Sequence, residues 1–573
     1  MQFDVQSARE NLKLQRFDLA ATQYQELIAN SPTDFILYLE LSSALMGLQK
    51  LDEALVVVKQ LEHVDFKLPE EVQLQKANIN LAQGRFAESI PILQSLILSS
   101  CHERARTALS SAYLGVGLPT KASALFNGIE EEKLSPGDVN NLAISLCEQI
   151  QTPKALDLLS KRIINKQFDN STISNLLMLS NYHASPENYI STAKKEIRKV
   201  NQEENVMAIN KKSTDNIRVG FISGDMYQHP VGWFFIGLLK ELSESFSTTI
   251  FYTNSKTDQL THDLIAAASD FYFVEHLADV DLIQKIQAAQ IDVLIDLSGH
   301  TANNRLSIFN QRIAPIQLSY LGYFASTYMS KMDGVIFDQW HLTGVPDGVF
   351  SERIHHLPCS RFCYTPPPYI PQITALPAIA NGIITFCSFS STSKISNECI
   401  EMWAKTLEAI PESRIQLRWR TLRDSQLRDH IRKLFLSHGI PNSRVELYPD
   451  CDHESLFHFY NEVDIALDTY PFSGATTSCE ALSMGVPVIT RTGKSPASNQ
   501  TASILNELHL NECIANDISE FVEQAKKLSS DIERLSNWRS TMRERIASSA
   551  LGNPKLFTSH FSQLITEIYH EGQ

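Results

Sequence analysis

The chain has 573 residues, 43% of them hydrophobic and 20% charged, and a formal net charge of −15. That length exceeds what one hydrophobic core holds and predicts two to four domains. The acidic balance argues against a nucleic-acid partner, which needs clustered lysines and arginines, and no apolar run approaches the roughly 18 residues of a membrane span.

The opening MQFDVQSARENLK carries early acidic residues and no apolar core, which predicts a cytoplasmic protein rather than a secreted one. Nine cysteines include no CxxC pair, so neither disulfides nor structural zinc are expected. His355 and His356 precede LPCSRFCY, but their spacing to Cys359 and Cys363 does not match a tetrahedral site, and no metal is predicted.

Along the first third, a small residue follows a turn-like segment at a steady interval: Ala20 in RFDLA, Ala54 in KLDEA, Ser89 in RFAES, Ala122 in LPTKA and Ala155 in QTPKA. The spacings of 34, 35, 33 and 33 fit tetratricopeptide helix pairs. A methyl-sized side chain lets the two helices of a unit cross closely, while Leu55, Val58 and Leu61 at helical spacing fill the stack. Pro32, Pro69 and Pro136 are expected to follow second helices and end them. About five such units over residues 1–185 form an α-solenoid whose concave groove suits a protein or peptide partner. The bland uses are a spacer or a dimerisation element, which keeps a homodimer open. KKEIRK at Lys194–Lys199, with Lys211 and Lys212, reads as a solvated linker helix within a connector over 186–215.

From Asn216, short apolar runs alternate with amphipathic segments, the pattern of parallel sheets flanked by helices. Strands are predicted at Ile217–Ser223, Thr248–Thr253, Ile291–Asp296 and Ile316–Tyr320. Past the break TPPPYIPQ they resume at Ile383–Ser388, Ile415–Trp419, Val445–Tyr448, Ile465–Asp468 and Pro487–Thr490. Two Rossmann-like, doubly wound lobes follow, over 216–375 and 376–573, the second closing with C-terminal helices.

Ligands of such folds sit beyond the carboxyl ends of the strands, and four loops there are unusually polar. SGDMYQHPVGWF places Asp225 and His229 ahead of a helix starting near Trp233. DLSGHTANNRL ends a strand at Asp296 and turns through Ser298, Gly299, His300 and Thr301. SFSSTSKIS leads to Lys394, a charge on a surface loop suited to a phosphate. LDTYPFSGATTSCEAL opens a helix at Gly474–Thr477 and carries Glu480 one turn inside, so free N–H groups, the helix dipole and two hydroxyls make an anion cradle. Taken singly, each has a structural alternative: a turn, a plain N-cap or a solvated charge. Neither GxxxxGK[ST] nor GxGxxG occurs, which leaves a nucleotide diphosphate held without those loops.

Those segments, VGFISGDMYQHPVG, IDVLIDLSGHTANNRL, RIAPIQLSYLGY, LPCSRFCYTP and VDIALDTYPFSGATTSCEALSMGVPVIT, following a repeat array, resemble the O-linked N-acetylglucosamine transferase and SPINDLY family of GT-B glycosyltransferases. The resemblance implies a tetratricopeptide solenoid joined to a GT-B pair of lobes, an acceptor-side first lobe and a nucleotide-sugar-binding second lobe. It implies His229 as general base or orienting group, Lys394 on the departing diphosphate, Thr476 and Thr477 on the phosphates and Glu480 on the ribose. Asp296 is a second candidate proton acceptor, on geometry. Asp225, His300, Gly322 and Tyr323 belong to loops expected near the sugar or acceptor.

The expected reaction is inverting transfer of one sugar, N-acetylglucosamine from UDP, to Ser or Thr of proteins docked through the groove. No cofactor beyond the nucleotide sugar is expected, because Lys394 and helix N–H groups can take the place of a metal. GDP-fucose transfer, UDP-glucose transfer to Asn and an inactive scaffold are the alternatives. Gly322-Tyr323-Phe324-Ala325-Ser326 replaces the family's Gly-Tyr-Pro-Gly-Thr, Ala475 a histidine, Ser391 a glutamine and Asn499 an arginine. Deleting the repeats is expected to spare donor hydrolysis and abolish protein modification.

Overall fold

The computed structural model describes residues 4–14, 16–61, 70–200 and 217–571. Pro69, Lys211 and Lys212 lie outside the described residues. Among the described residues the first third is made of helices, in pairs: α1 (Val5–Lys13) with α2 (Phe17–Asn30), α3 (Phe35–Gly47) with α4 (Leu51–Gln60), and α5 (Glu70–Ala82) with α6 (Phe86–Leu96). Then come α7 (His102–Gly115) with α8 (Pro119–Ala124), α9 (Pro136–Glu148) with α10 (Thr152–Ile164), and α11 (Asn170–Ser180) with α12 (Glu187–Val200).

Each repeating small residue sits on the second helix of its pair, and all five have no exposed surface. Ser89 can stand among alanines because its hydroxyl donates to the carbonyls of Ala77 and Arg85, so no polar group is left unpaired. Two expectations change. Pro136 does not end a helix; it is the first residue of α9, behind a Ser135–Asp138 capping box, where a missing N–H costs nothing. The KKEIRK segment lies in α12, which pairs with α11 and buries Ala193 and Ile197 instead of standing in solvent as a linker.

Two parallel sheets follow. The first runs β3-β2-β1-β4-β5-β6-β7, with β1 (Arg218–Ser223), β2 (Ser247–Tyr252), β3 (Asp270–Phe273), β4 (Val293–Asp296), β5 (Ile316–Ser319), β6 (Gly334–Asp338) and β7 (Arg353–Leu357). The second runs β10-β9-β8-β11-β12-β13, with β8 (Ile384–Ser388), β9 (Ser413–Arg418), β10 (Val445–Tyr448), β11 (Ile465–Leu467), β12 (Val488–Arg491) and β13 (Ile514–Ala515). Every predicted strand is present within two residues. β3, β6, β7 and β13 were not anticipated, since DFYF, GVIFD, RIHHL and IA are too short or too polar to stand out as apolar runs. In each sheet the strand order reverses at one place, between β1 and β4 and between β8 and β11, which opens a crevice beyond the strand ends.

The array is not a separate appendage. One apolar cluster runs from Leu156, Leu177 and Ile197 into Ile222, Phe251 and Leu294 of the first lobe. Towards the second lobe, the Arg420 guanidinium donates to the carbonyls of Leu114 and Gly115, and the Thr120 hydroxyl donates to Asp424 at 2.6 Å. Among the described residues no helix is long and apolar enough to cross a membrane.

Candidate active site

The first switch point is built by the loops after β1 and β4, which register side by side with Ile222 opposite Asp296. His229 caps the helix Pro230–Leu242 in extended backbone, and its Nδ1 accepts the Val231 N–H at 3.3 Å. The helix therefore starts three residues before Trp233, because the cap is followed by a proline preset for the first helical position. Burial, with Lys256 nearby, holds the His229 pKa down to about 4. Asp225 is buried beside it, one carboxylate oxygen 3.7 Å from Nδ1. Asp296 is also buried, and its two oxygens accept the N–H groups of Ser298 (3.2 Å) and Gly299 (2.7 Å), so it shapes the turn that follows.

The second switch point collects the loops after β8 and β11. Lys394 closes a short 3-10 turn, Thr392–Lys394. Its ammonium lies 4.5 Å over the Phe472 ring and 3.5 Å from the Ser473 carbonyl, and burial lowers its pKa to about 8 against the raising fields of Asp468 and Glu480. Lys394 is thus partly enclosed, not a charge on a surface loop. The helix Thr476–Ser483 starts at the expected place with no side-chain cap on its Ala475 end, so its first N–H groups have no intrahelical partner. Asp468 fixes the approach by accepting the Gly474 N–H at 2.7 Å and the Thr490 hydroxyl at 2.6 Å. Glu480, 4% exposed, receives His453 Nε2 on one oxygen at 2.8 Å, and His453 Nδ1 in turn meets the Tyr369 hydroxyl at 2.7 Å.

Aromatic contacts bring the two crevices face to face. Phe324 of the first lobe stands edge-on to Phe472 of the second with ring centroids 4.8 Å apart, and Trp233 lies 6.4 Å from His453. Tyr182, two residues past α11, also packs on Phe472, at 4.8 Å. His453, Phe472 and Tyr182 escaped sequence reasoning, since each acquires its place only through partners distant in the chain.

Two sequence candidates, Gly322 and Tyr323, sit behind the crevice, and a third, His300, stands in the wall of a neighbouring cavity between α11 and the loop after β4. His300 has both ring nitrogens engaged, Nδ1 with the Ser174 hydroxyl of α11 at 3.1 Å and Nε2 with the Thr327 carbonyl at 2.8 Å. Tyr323 is 2% exposed and packs against the glycine of the SGH turn. Gly322 is required by a backbone crossing: a Cβ there would stand 1.8 Å from the Leu297 carbonyl oxygen. The Gly322-Tyr323 step therefore supports the β4 loop from below, and only Phe324 beyond it reaches the cleft.

The model of glycosyl transferase family 41 matches residues 188–365 and 372–561, a span that takes in both switch points. The chain belongs to this family. Within family 41 it is 31% identical over 351 residues to a Petunia hybrida protein named "Probable UDP-N-acetylglucosamine--peptide N-acetylglucosaminyltransferase SPINDLY", which covers 60% of this chain and 37% of that protein. The SPINDLY protein of Arabidopsis thaliana is 30% identical over 352 residues, covering 60% and 38%. The family 41 chain thus spans well under half the length of these curated relatives. A solved Thermobaculum terrenum O-GlcNAc transferase variant superposes with a TM-score of 0.79 at 25% identity, covering 88% of this chain and 98% of that one. The solenoid followed by two GT-B lobes is the arrangement this likeness bears out.

Proposed function

We propose that this glycosyltransferase moves one N-acetylglucosamine from UDP-N-acetylglucosamine to Ser or Thr hydroxyls of proteins, with inversion and without a metal. The observation that carries the reading is the pairing, within the second switch point, of an enclosed cation with an uncapped helix start. Lys394 and the N–H groups and hydroxyls of Thr476 and Thr477 form a cradle where a departing diphosphate needs preorganised positive charge. The free oxygen of Glu480 is the acceptor offered to ribose hydroxyls. The names of the family 41 relatives, which specify UDP-N-acetylglucosamine and peptide, support the same donor and acceptor class.

On the acceptor side, a cavity of about 570 Å³ lies between α11 and the loop after β4. Asn170, Asn175, Asn303 and Asn310 line it, and a carboxamide can both donate to and accept from an extended peptide backbone. Titration calorimetry with UDP and with GDP, each with and without divalent metal, tests the reading. Metal-independent binding of UDP alone is expected. Binding of GDP instead would redirect it to fucose, and binding of neither would leave a scaffold.

A further inference from the structure

The transfer reaction must remove a proton from the attacking hydroxyl, and the hydrogen bonds around His229 bear on which group accepts it. Because Nδ1 accepts the Val231 N–H, the neutral ring carries its hydrogen on Nε2. An Nε2–H can donate to an oxygen but has no lone pair for a second proton. Asp296 has both oxygens occupied by backbone donors of its own turn and is 2% exposed. Asp225 differs from both: no donor hydrogen-bonds to its carboxylate among the described residues, and a tenth of its side-chain surface stays open at the strand end.

We infer that Asp225 is the proton acceptor of this site, with His229 orienting the sugar or acceptor oxygen through Nε2–H and Asp296 acting as a positioning residue. The inference rests on the transferase reading above. In the step, the acceptor oxygen forms a bond to the anomeric carbon as the bond from that carbon to the β-phosphate oxygen breaks. The electron pair leaves with UDP, and the hydroxyl proton passes to an Asp225 oxygen.

The surroundings suit that role. Burial, and then the charge of Asp296 from the neighbouring strand, push the Asp225 pKa up to about 7, near the range in which a general base works best. The other titratable groups facing it are His229 at the helix start, Tyr227 in its own loop and Tyr252 on β2. Both tyrosines are held neutral, and Lys256, 4.2 Å over the Tyr227 ring, is the nearby cation.

Hydrolysis of UDP-N-acetylglucosamine tests this without an identified protein acceptor, because water must lose a proton in the same way. The wild-type rate should fall on the acidic side of neutrality. Asp225→Asn should lower it on the order of 10²–10⁴-fold and abolish that acidic limb while leaving UDP affinity unchanged. Formate should restore part of the rate to Asp225→Ala. Asp296→Asn should move the limb to lower pH, since it removes the negative neighbour that raises the affinity of Asp225 for protons. A rate within a few-fold of wild type in Asp225→Asn, with the limb retained, would overturn the assignment. A wild-type protein that binds UDP but releases no sugar would overturn the donor reading itself, before any variant is compared.

Discussion

Lys394 stands where three parts of the molecule meet. Its ammonium rests on Phe472, its loop neighbour Ser393 offers a carbonyl to the Cys147 thiol of α9, and Tyr182, just past α11, packs on the same phenyl ring. A lysine so enclosed suits an anion, because burial has stripped part of the solvent from its ionised form and a phosphate would compensate that loss. Lys394→Ala should keep the fold, as Asp468 retains its bonds to Gly474, Thr469 and Thr490. It should cost about 10²–10³-fold in sugar release, with weaker UDP binding by calorimetry. An unchanged rate would remove the diphosphate assignment.

Between the lobes, a buried carboxylate at the end of β6 reaches a helix of the second lobe. Asp338 accepts from His341 Nδ1 (2.7 Å), the Arg361 N–H (2.8 Å) and the Ser503 hydroxyl (2.8 Å) of the helix Gln500–Glu507. Burial alone would raise the Asp338 pKa, but the field of protonated His341 and the hydrogen bonds from His341 and Arg361 depress it to about 2. A carboxylate more acidic in the folded state contributes stability that is complete above its unfolded pKa, and this is lost as pH falls from about 4 towards 2. Asp338→Asn should therefore unfold at lower denaturant concentration than wild type at pH 7, with the gap narrowing below about pH 4. A gap independent of pH would mean that the carboxylate acts by shape alone.

Over the whole molecule, the repeats divide by what they bury. The first four helices share a core with Val72 and Ile79 of α5, whereas α9 to α12 are part of the core of the first lobe and α7 to α9 grip the second. Removing all repeats would expose Ile222, Phe251 and Leu294 and should give an aggregating or unfolded catalytic half, contrary to the expectation that donor hydrolysis survives such a deletion. Removing residues 1–61 should leave thermal unfolding of the catalytic half and UDP-N-acetylglucosamine hydrolysis unchanged. Scanning calorimetry and the hydrolysis assay on the two truncations separate these outcomes; an active half after the longer deletion would show that the repeats only dock.

The 34-residue period, the alternation of apolar and amphipathic segments, and the polar loops at Asp225, Asp296, Lys394 and Thr476 were legible in the sequence. They are local: a small residue at a helix crossing, or a glycine and two threonines at a helix start, carries its physical reason within a few positions of itself. Order within the sheets, and hence which loops flank a switch point, depends on pairings between strands tens of residues apart, such as β1 with β4 and β8 with β11. The assignments that changed are of that second kind. Tyr323 was taken from the crevice by the turn it packs under, His300 was fixed by Ser174 and Thr327 in the wall of the neighbouring cavity, and Lys394 was enclosed by Phe472. The sequence by itself determined the solenoid, the two Rossmann-like lobes and the polar loops at their strand ends. Only the tertiary structure decided which of those side chains keep a free lone pair or charge, because a polar group is available to a substrate only when nothing across the fold has already satisfied it.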